Sequence, residues 1–293
     1  MKTTIITVTY DKDLEFLKYN LKSIKKFCKD YHENVVVIDD HENDCVETQK
    51  YLESINQKYF INREAKQVKE GYVRQQYMKL LSDKYVSQDT DYICHIDADS
   101  IFKKEHTPEI FFRENKPMLV KNNYNKLIEN QKRVGNATGP YERWRDITTK
   151  FLNFRVEHEF MYRMPLVYPK NLTKQVRDYL EKIHKSSLLD LVKNLHTMSE
   201  YNILGAYAHE FTHEDFFWIC RWENVEILRE TNYEKLGIFG HYSSREFQQP
   251  ARYVDLSVDN NELDKILNEG KESNDCLYQC TDDVTGALKQ VVK

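Results

Sequence analysis

The chain lacks several features that would have settled its class early. No apolar run approaches the roughly 20 residues that a membrane-spanning helix needs, so no membrane span is expected. None of the six cysteines, Cys28, Cys45, Cys94, Cys220, Cys276 and Cys280, stands in Cys-x-x-Cys spacing, which argues against a structural zinc site. Cys276 and Cys280 lie four apart and could pair, but an incidental spacing is the better expectation. There is no basic excess: 43 Lys and Arg face 47 Asp and Glu, a net charge of −4, and a nucleic-acid partner is not expected. The opening Met1-Lys2-Thr3-Thr4-Ile5-Ile6-Thr7-Val8-Thr9-Tyr10 is too short and too rich in threonine for a signal peptide. Repeats, a domain linker and a Ser-His-Asp or Cys-His set are likewise missing. The expectation is a cytoplasmic protein with reduced thiols, in which the sequons at Asn136 and Asn171 stay unmodified.

What is present is an ordinary globular balance, 40% hydrophobic and 31% charged over 293 residues. That length holds one large α/β domain or two small ones. Twenty Tyr and three Trp exceed what a core needs. Exposed aromatics stack on sugar rings, although packing at half-buried positions accounts for most of them.

Residues 3–9 alternate and are β-branched, a strand signal. Leu14, Leu17, Leu21, Ile24 and Phe27 form a helical stripe. Val35-Val36-Val37-Ile38 is continuously apolar, as a parallel strand buried on both faces would be. A helix over Val46–Ile55, a strand at Tyr59–Ile61, a helix over Gly71–Ser82 and a strand at Tyr92–Ile96 follow. This alternation predicts a mostly parallel sheet with helices on both faces. Residues 103–150 read as largely irregular, with a loop at Gly135–Pro140. Helices are expected near Leu172–His184, Leu188–His196 and Glu200–Tyr207. Ile238-Phe239-Gly240-His241 ends a last strand, and a peripheral helix is expected near 261–269. Residues 1–250 are read as one domain and 251–293 as a peripheral C-terminal segment.

Carboxylates stand where these strands end. Asp97 and Asp99 follow Tyr92–Ile96; residues i and i+2 of a strand share a face. Ligands of open α/β sheets sit beyond the carboxyl ends of the strands. Two carboxylates there can hold a hard divalent cation, and the cation a diphosphate. Asp39-Asp40 end the second strand and Thr9-Tyr10-Asp11 the first, both suited to hydroxyl and base contacts. Turn or cap chemistry is the plain alternative at each position. Three acidic strand ends in one parallel sheet are harder to assign to coincidence than any one of them.

Asp97-Ala98-Asp99 resembles the D-x-D motif of nucleotide-sugar glycosyltransferases of the GT-A fold. Gly71-Tyr72-Val73-Arg74-Gln75-Gln76-Tyr77-Met78-Lys79-Leu80 resembles the G-[WY]-x-x-Q-Q-x-x-K-L pattern of a glycosyltransferase-like group found in bacteria and large DNA viruses. The group's Met-Pro segment is matched by Tyr162-Arg163-Met164-Pro165. Its Ser-Glu-Tyr-Asn stretch is matched by Ser199-Glu200-Tyr201-Asn202, with Gly205 and Tyr207 after it. The four matches run in order across residues 71–207.

The resemblance implies a GT-A, Rossmann-like fold, a nucleoside-diphosphate sugar donor (a UDP-sugar is expected), a glycan or glycoconjugate acceptor, and Mn²⁺ or Mg²⁺. It implies a bacterial cell or a virus-infected host cell as the setting. On this reading Asp97, Asp99 and His241 hold the metal. Thr9, Tyr10, Asp11, Asp39, Asp40, Tyr72, Gln75, Gln76, Lys79, Asp97 and Ala98 contact the donor. Glu200 is the general base of an inverting transfer, with Glu214 and Asp215 as alternatives. Two other readings remain. His209-Glu210-x-x-His213 matches the H-E-x-x-H signature of zinc metallohydrolases. A non-catalytic sugar-binding module would keep the fold without donor turnover.

Overall fold

The computed structural model describes residues 1–41, 45–102, 105–133, 138–161, 165–220, 223 and 238–239. Its first half is the expected alternation. Strands β1 (Thr3–Thr9), β2 (Glu33–Asp39), β3 (Tyr59–Asn62) and β4 (Tyr92–Asp97) are separated by helices α1 (Leu14–Phe27), α2 (Val46–Ser54) and α3 (Gly71–Lys79). β1 pairs in parallel with β2 on one side and β4 on the other, and β2 pairs in parallel with β3. A later strand, β9 (Leu166–Pro169), pairs antiparallel with β4, giving the order β3-β2-β1-β4-β9. The mostly parallel α/β architecture is therefore as expected.

The sheet is buried on both faces: every residue of β1 is buried, as are the central residues of β2 and β4, most of them apolar. Ile6, Val8, Val35, Val37 and Ile93 face one core, with Val73 and Tyr77 of α3. Ile5, Val36, Ile38, Cys94 and Ile96 face the other, with Leu17, Leu21, Ile24 and Phe27 of α1 and Leu52 of α2. Full burial of each such side chain contributes about 1.5–3 kcal/mol.

Chain order matters here. From β1 the chain builds outward through β2 and β3, then crosses back so that β4 joins the other side of β1. The crevice between the carboxyl ends of β1 and β4 is thus the topological switch point, where open α/β sheets bind ligands.

The second half departs from the sequence reading. Residues 101–161 hold β5 (Ile101–Phe102), β6 (Phe112–Arg113), β7 (Lys116–Asn123), α4 (Tyr124–Arg133), α5 (Gly139–Leu152) and β8 (His158–Glu159). Gly139 and Pro140 open α5 rather than ending a loop; proline suits the first helical turn, where its missing N–H is no loss. β9 (Leu166–Pro169) caps the main sheet beside β4. Then come α6 (Asn171–His184), α7 (Leu188–Val192), α8 (Glu200–Phe211), β10 (Phe217–Cys220) and β11 (Ile238–Phe239). β10 runs parallel to β7, which also pairs with β6 and β8, and β11 pairs with β5.

Some boundaries move. α3 ends at Lys79 and a separate 3₁₀ turn follows at Ser82–Lys84. α7 stops at Val192, short of the expected His196. Gly240, His241, the segment 251–293, Tyr162–Met164 and residues 134–137 lie outside the described residues. Among the described residues no helix is long and apolar enough to cross a membrane. Cys28, Cys45, Cys94 and Cys220 are free thiols.

Candidate active site at the switch point

β4 ends at Asp97, and the Ser100 amide donates to the Asp97 carbonyl at 3.0 Å. Asp99 therefore sits in a turn, not two residues along a strand, and the same-face argument for the pair does not hold. Both carboxylates nonetheless act on one neighbour. Burial first, and then the charges of Asp99 and Asp97, push the carboxyl of Asp13 up to about 7. Asp13, at the start of α1, is thus a third carboxylate at the β1–β4 crevice, and the sequence reading missed it. The available signal was its place just after strand one, whose acidic end already reads as facing the ligand crevice.

The turn is held by α1. The Asn20 side chain is fully buried and donates to the carbonyls of Ser100 at 2.7 Å and Asp97 at 3.3 Å. Ser23 accepts from the Phe102 amide at 3.1 Å. Both are polar residues on the buried face of an amphipathic helix, an exception to its apolar stripe that the sequence displays but does not explain.

Residues 96 and 97 point to opposite faces of β4, so Asp97 faces the side that carries α3 and α8. There Lys79, 2% exposed, places its ammonium 2.8 Å from Asp97 Oδ1 and 3.0 Å from Glu200 Oε1. It also donates to the Tyr201 hydroxyl at 3.2 Å and lies 4.7 Å from the centre of that ring. Burial alone would lower the Lys79 pKa; Asp97 and Glu200 outweigh it and hold the value well above the ordinary one. Glu200 has no solvent exposure. Its pKa is raised, by burial against the opposing pull of Lys79. Neither of its oxygens meets hydrogen-bond geometry with a partner, so the 3.0 Å contact is one of charge.

The local chemistry explains why the 71–80 and 199–205 segments look as they do. Ser199 caps α8, its hydroxyl accepting from the Asn202 amide at 3.2 Å. Glu200 then falls in the first turn, where the helix dipole favours an anion, and its amide donates to Gln76 Oε1 at 3.2 Å. Asn202 Oδ1 accepts from the Phe160 amide at 2.8 Å. Gly205 leaves room for the Phe160 ring: a Cβ there would lie 2.3 Å from Phe160 Cγ. On α3, Arg74 donates to Asp39 at 2.7 Å and to the Val68 and Lys69 carbonyls.

The expected donor contacts scatter more than the sequence reading had them. Gln76 is buried against α8 and Lys79 is enclosed by carboxylates, whereas Gln75 is half-buried. Tyr72 is 38% exposed, and burial and then the charge of Glu200 raise the pKa of its hydroxyl. Thr9 is buried and Tyr10 exposed. Asp11 accepts from Thr48. Asp40 accepts from the Cys45 thiol at 3.2 Å, with Arg63 3.7 Å away. Ala98 is buried in the turn.

The zinc reading is not supported. α8 ends at Phe211 and His213 opens a separate 3₁₀ turn, so the pair is not set on one helix as the signature requires, although the two rings lie 4.9 Å apart, edge to face. His209 Nε2 is engaged by Lys121 at 3.0 Å. Burial, and next Lys121, push its pKa down to about 4. Among the described residues no three His, Cys, Asp or Glu groups are placed to hold a metal by themselves. That bears also on Asp97 and Asp99, which supply hard oxygen donors but no complete cage. A small hard cation bound by one or two carboxylates, with phosphate and water completing its shell, fits such a donor set. Glu214 and Asp215, the alternative bases, are exposed in the 3₁₀ turn beyond α8.

A family model described as "Family of unknown function (DUF6492)" matches residues 3–231, and the chain belongs to that family. No curated protein matches it. Among solved structures, the crystal structure of S. aureus TarS 1-349 is similar at 19% identity, over 35% of this chain and 28% of that one, with a TM-score of 0.24. The chain thus spans less than a third of that structure's length, and so small an overlap carries no weight for fold or activity.

Proposed function

We propose that this DUF6492 member is a glycosyltransferase of GT-A type, moving a sugar from a nucleoside diphosphate, expected to be UDP, to a glycan hydroxyl with inversion. One observation carries the reading. Asp97 ends the strand at the switch point of a parallel sheet, Asp99 and Asp13 lie within electrostatic reach of one another there, and a buried Lys79–Glu200 pair stands directly behind Asp97. Asp97 and Asp99 would hold Mn²⁺ or Mg²⁺, and His241, outside the described residues, would complete its shell. When bound, the cation offsets charge that develops on the leaving diphosphate.

The chain's own groups do the rest. Asp39, Asp40, Asp11 and Thr9 line the carboxyl ends of β1 and β2, where ribose and base contacts fall in such sheets. Gln75 and Tyr72 offer an amide and a phenol from the exposed side of α3. Glu200 takes the proton from the acceptor hydroxyl. Its raised pKa brings it toward the range in which a carboxylate is an effective base. Since it is fully buried, that role requires neighbouring side chains to move aside for the acceptor. Its burial and its 3.0 Å contact with Lys79 favour a second role, in which Glu200 positions Lys79 and takes no proton.

A panel of nucleotide sugars with Mn²⁺, read as thermal shift and as donor hydrolysis, tests the reading. One donor class should stabilise the protein in a Mn²⁺-dependent way, and Asp99→Ala should lose that response while staying folded. A panel with no response, or a response undiminished in Asp99→Ala, would sink it.

A further inference from the structure

We infer that Lys79 is a positioning residue that weakens the hold of Asp97 on a divalent cation, so that cation and diphosphate bind interdependently. This rests on the transferase reading and goes beyond it.

One ammonium serves two carboxylates. It sits 2.8 Å from Asp97 Oδ1 and 3.0 Å from Glu200 Oε1, held on a third side by the Tyr201 hydroxyl at 3.2 Å. Lys79 is the last residue of α3 and is enclosed by protein, so it cannot swing into water when another cation approaches. A divalent ion coming to Asp97 meets a carboxylate already in contact with a fixed positive charge. In a site screened from water that repulsion is felt at several times its strength in bulk solvent.

The donor set is also short, because no three acidic or histidine groups form a cage among the described residues. A cation arriving alone would then lack oxygen ligands while facing the Lys79 ammonium behind Asp97. A diphosphate supplies oxygens and further negative charge. Coupling between two ligands of one site is reciprocal and commonly on the order of 5- to 150-fold.

The sign of the effect separates this role from others. A lysine that binds phosphate would, when removed, weaken nucleotide binding and leave the affinity for the ion unchanged. A lysine that only supports the fold would weaken both. Here, removing the ammonium should tighten the binding of Mn²⁺ alone.

The test is a Mn²⁺ titration of the whole chain, followed by the electron paramagnetic resonance of free Mn²⁺, with and without saturating UDP. The parent should bind Mn²⁺ at least about 10-fold more tightly with UDP than without it. Lys79→Met should bind Mn²⁺ alone about 10-fold more tightly than the parent, and UDP should add less. Because Lys79→Met strands the Glu200 carboxylate, Lys79→Met/Glu200→Gln is measured beside it, with circular dichroism to show that each variant is folded. If the parent shows the UDP effect but neither variant gains affinity for Mn²⁺ alone, the inference is wrong and the transferase reading stands. A parent that binds Mn²⁺ equally with and without UDP also overturns it, whatever the variants do. If the parent binds no UDP even with Mn²⁺, the transferase reading itself falls.

Discussion

Gly205→Ala offers a direct measure of how tightly α8 is docked. Gly205 lies midway along α8, and the Phe160 side chain occupies the space where its Cβ would be. An added Cβ would stand 2.3 Å from Phe160 Cγ, 2.5 Å from Cβ and 2.7 Å from Cδ1. Real contacts of this kind are not closer than 3.0 Å, so Phe160 must retreat by more than half an ångström. The clash is with the root of the side chain, which cannot rotate away. Its backbone is pinned by the bond from the Phe160 amide to Asn202, and the ring is buried in the larger core.

Overpacking of this kind costs about 1–3 kcal/mol or more, and we expect the upper end. Exchanging a mid-helix glycine for alanine returns roughly 1 kcal/mol, leaving a net loss of about 2 kcal/mol. Urea unfolding should show a lower midpoint with an unchanged slope. Phe160→Ala alone should cost about 3–5 kcal/mol. The double variant should be more stable than the sum of the two losses by about 1–3 kcal/mol, since each change relieves the other. A Gly205→Ala protein as stable as the parent would mean that α8 and Phe160 are not packed as described.

Other outcomes follow from particular contacts. Arg74→Met should destabilise by about 3–5 kcal/mol, because it leaves Asp39 buried without its cation; Arg74→Met/Asp39→Asn should recover much of this in the same urea assay, and no recovery would argue against the pair. His106 is pushed down from 6.5 to about 4 by burial. Its contribution is therefore complete above pH 6.5 and is lost as pH falls toward 4; between pH 7.5 and 5 it should amount to about 2 kcal/mol. His106→Gln should flatten that part of the stability profile, and an unchanged slope would refute the assignment. Glu200→Gln should leave UDP affinity near the parent's and cut transfer by about 10²–10⁴-fold if Glu200 is the base. A loss of UDP and Mn²⁺ binding of the same size as the loss of transfer would instead favour its positioning role.

The strand and helix alternation through Asp97 was legible because each element carries a clean period: β-branched runs for β1 and β2, and Leu17, Leu21, Ile24 for α1. α4 was not, because its buried face is Tyr124, Leu127 and Gln131, only one of them aliphatic. Apart from Ile128, its remaining length is Asn, Lys, Glu and Arg, which reads as loop. α5 was hidden by Gly139-Pro140, a pair that signals a turn as readily as a helix start. β7 and β10 pair across a long stretch of chain; β10 is short, and in β7 the apolar Pro117–Val120 is flanked by lysine and asparagine and opened by a proline, which hides the strand. At the site, the acidic strand ends could be read because strand-end position follows from the alternation. The Lys79–Glu200 contact could not, since nothing local in either segment points to a partner 121 residues away. The same holds for Asn20, whose role lies in the two carbonyls it meets.

Asn20 also bears on the entropy of whatever binds beside it. A turn free to fluctuate would have to be ordered by its ligand, and that ordering would be subtracted from affinity. Here one buried amide clasps the carbonyls at both ends of Asp97–Ser100, and Ser23 fixes the strand that follows. The ordering cost is met when α1 packs, before any ligand arrives. Asn20→Leu would keep the bulk and release the clasp. Its signature would be calorimetric: a more unfavourable binding entropy at the turn, with the chemical groups that touch the ligand left unchanged.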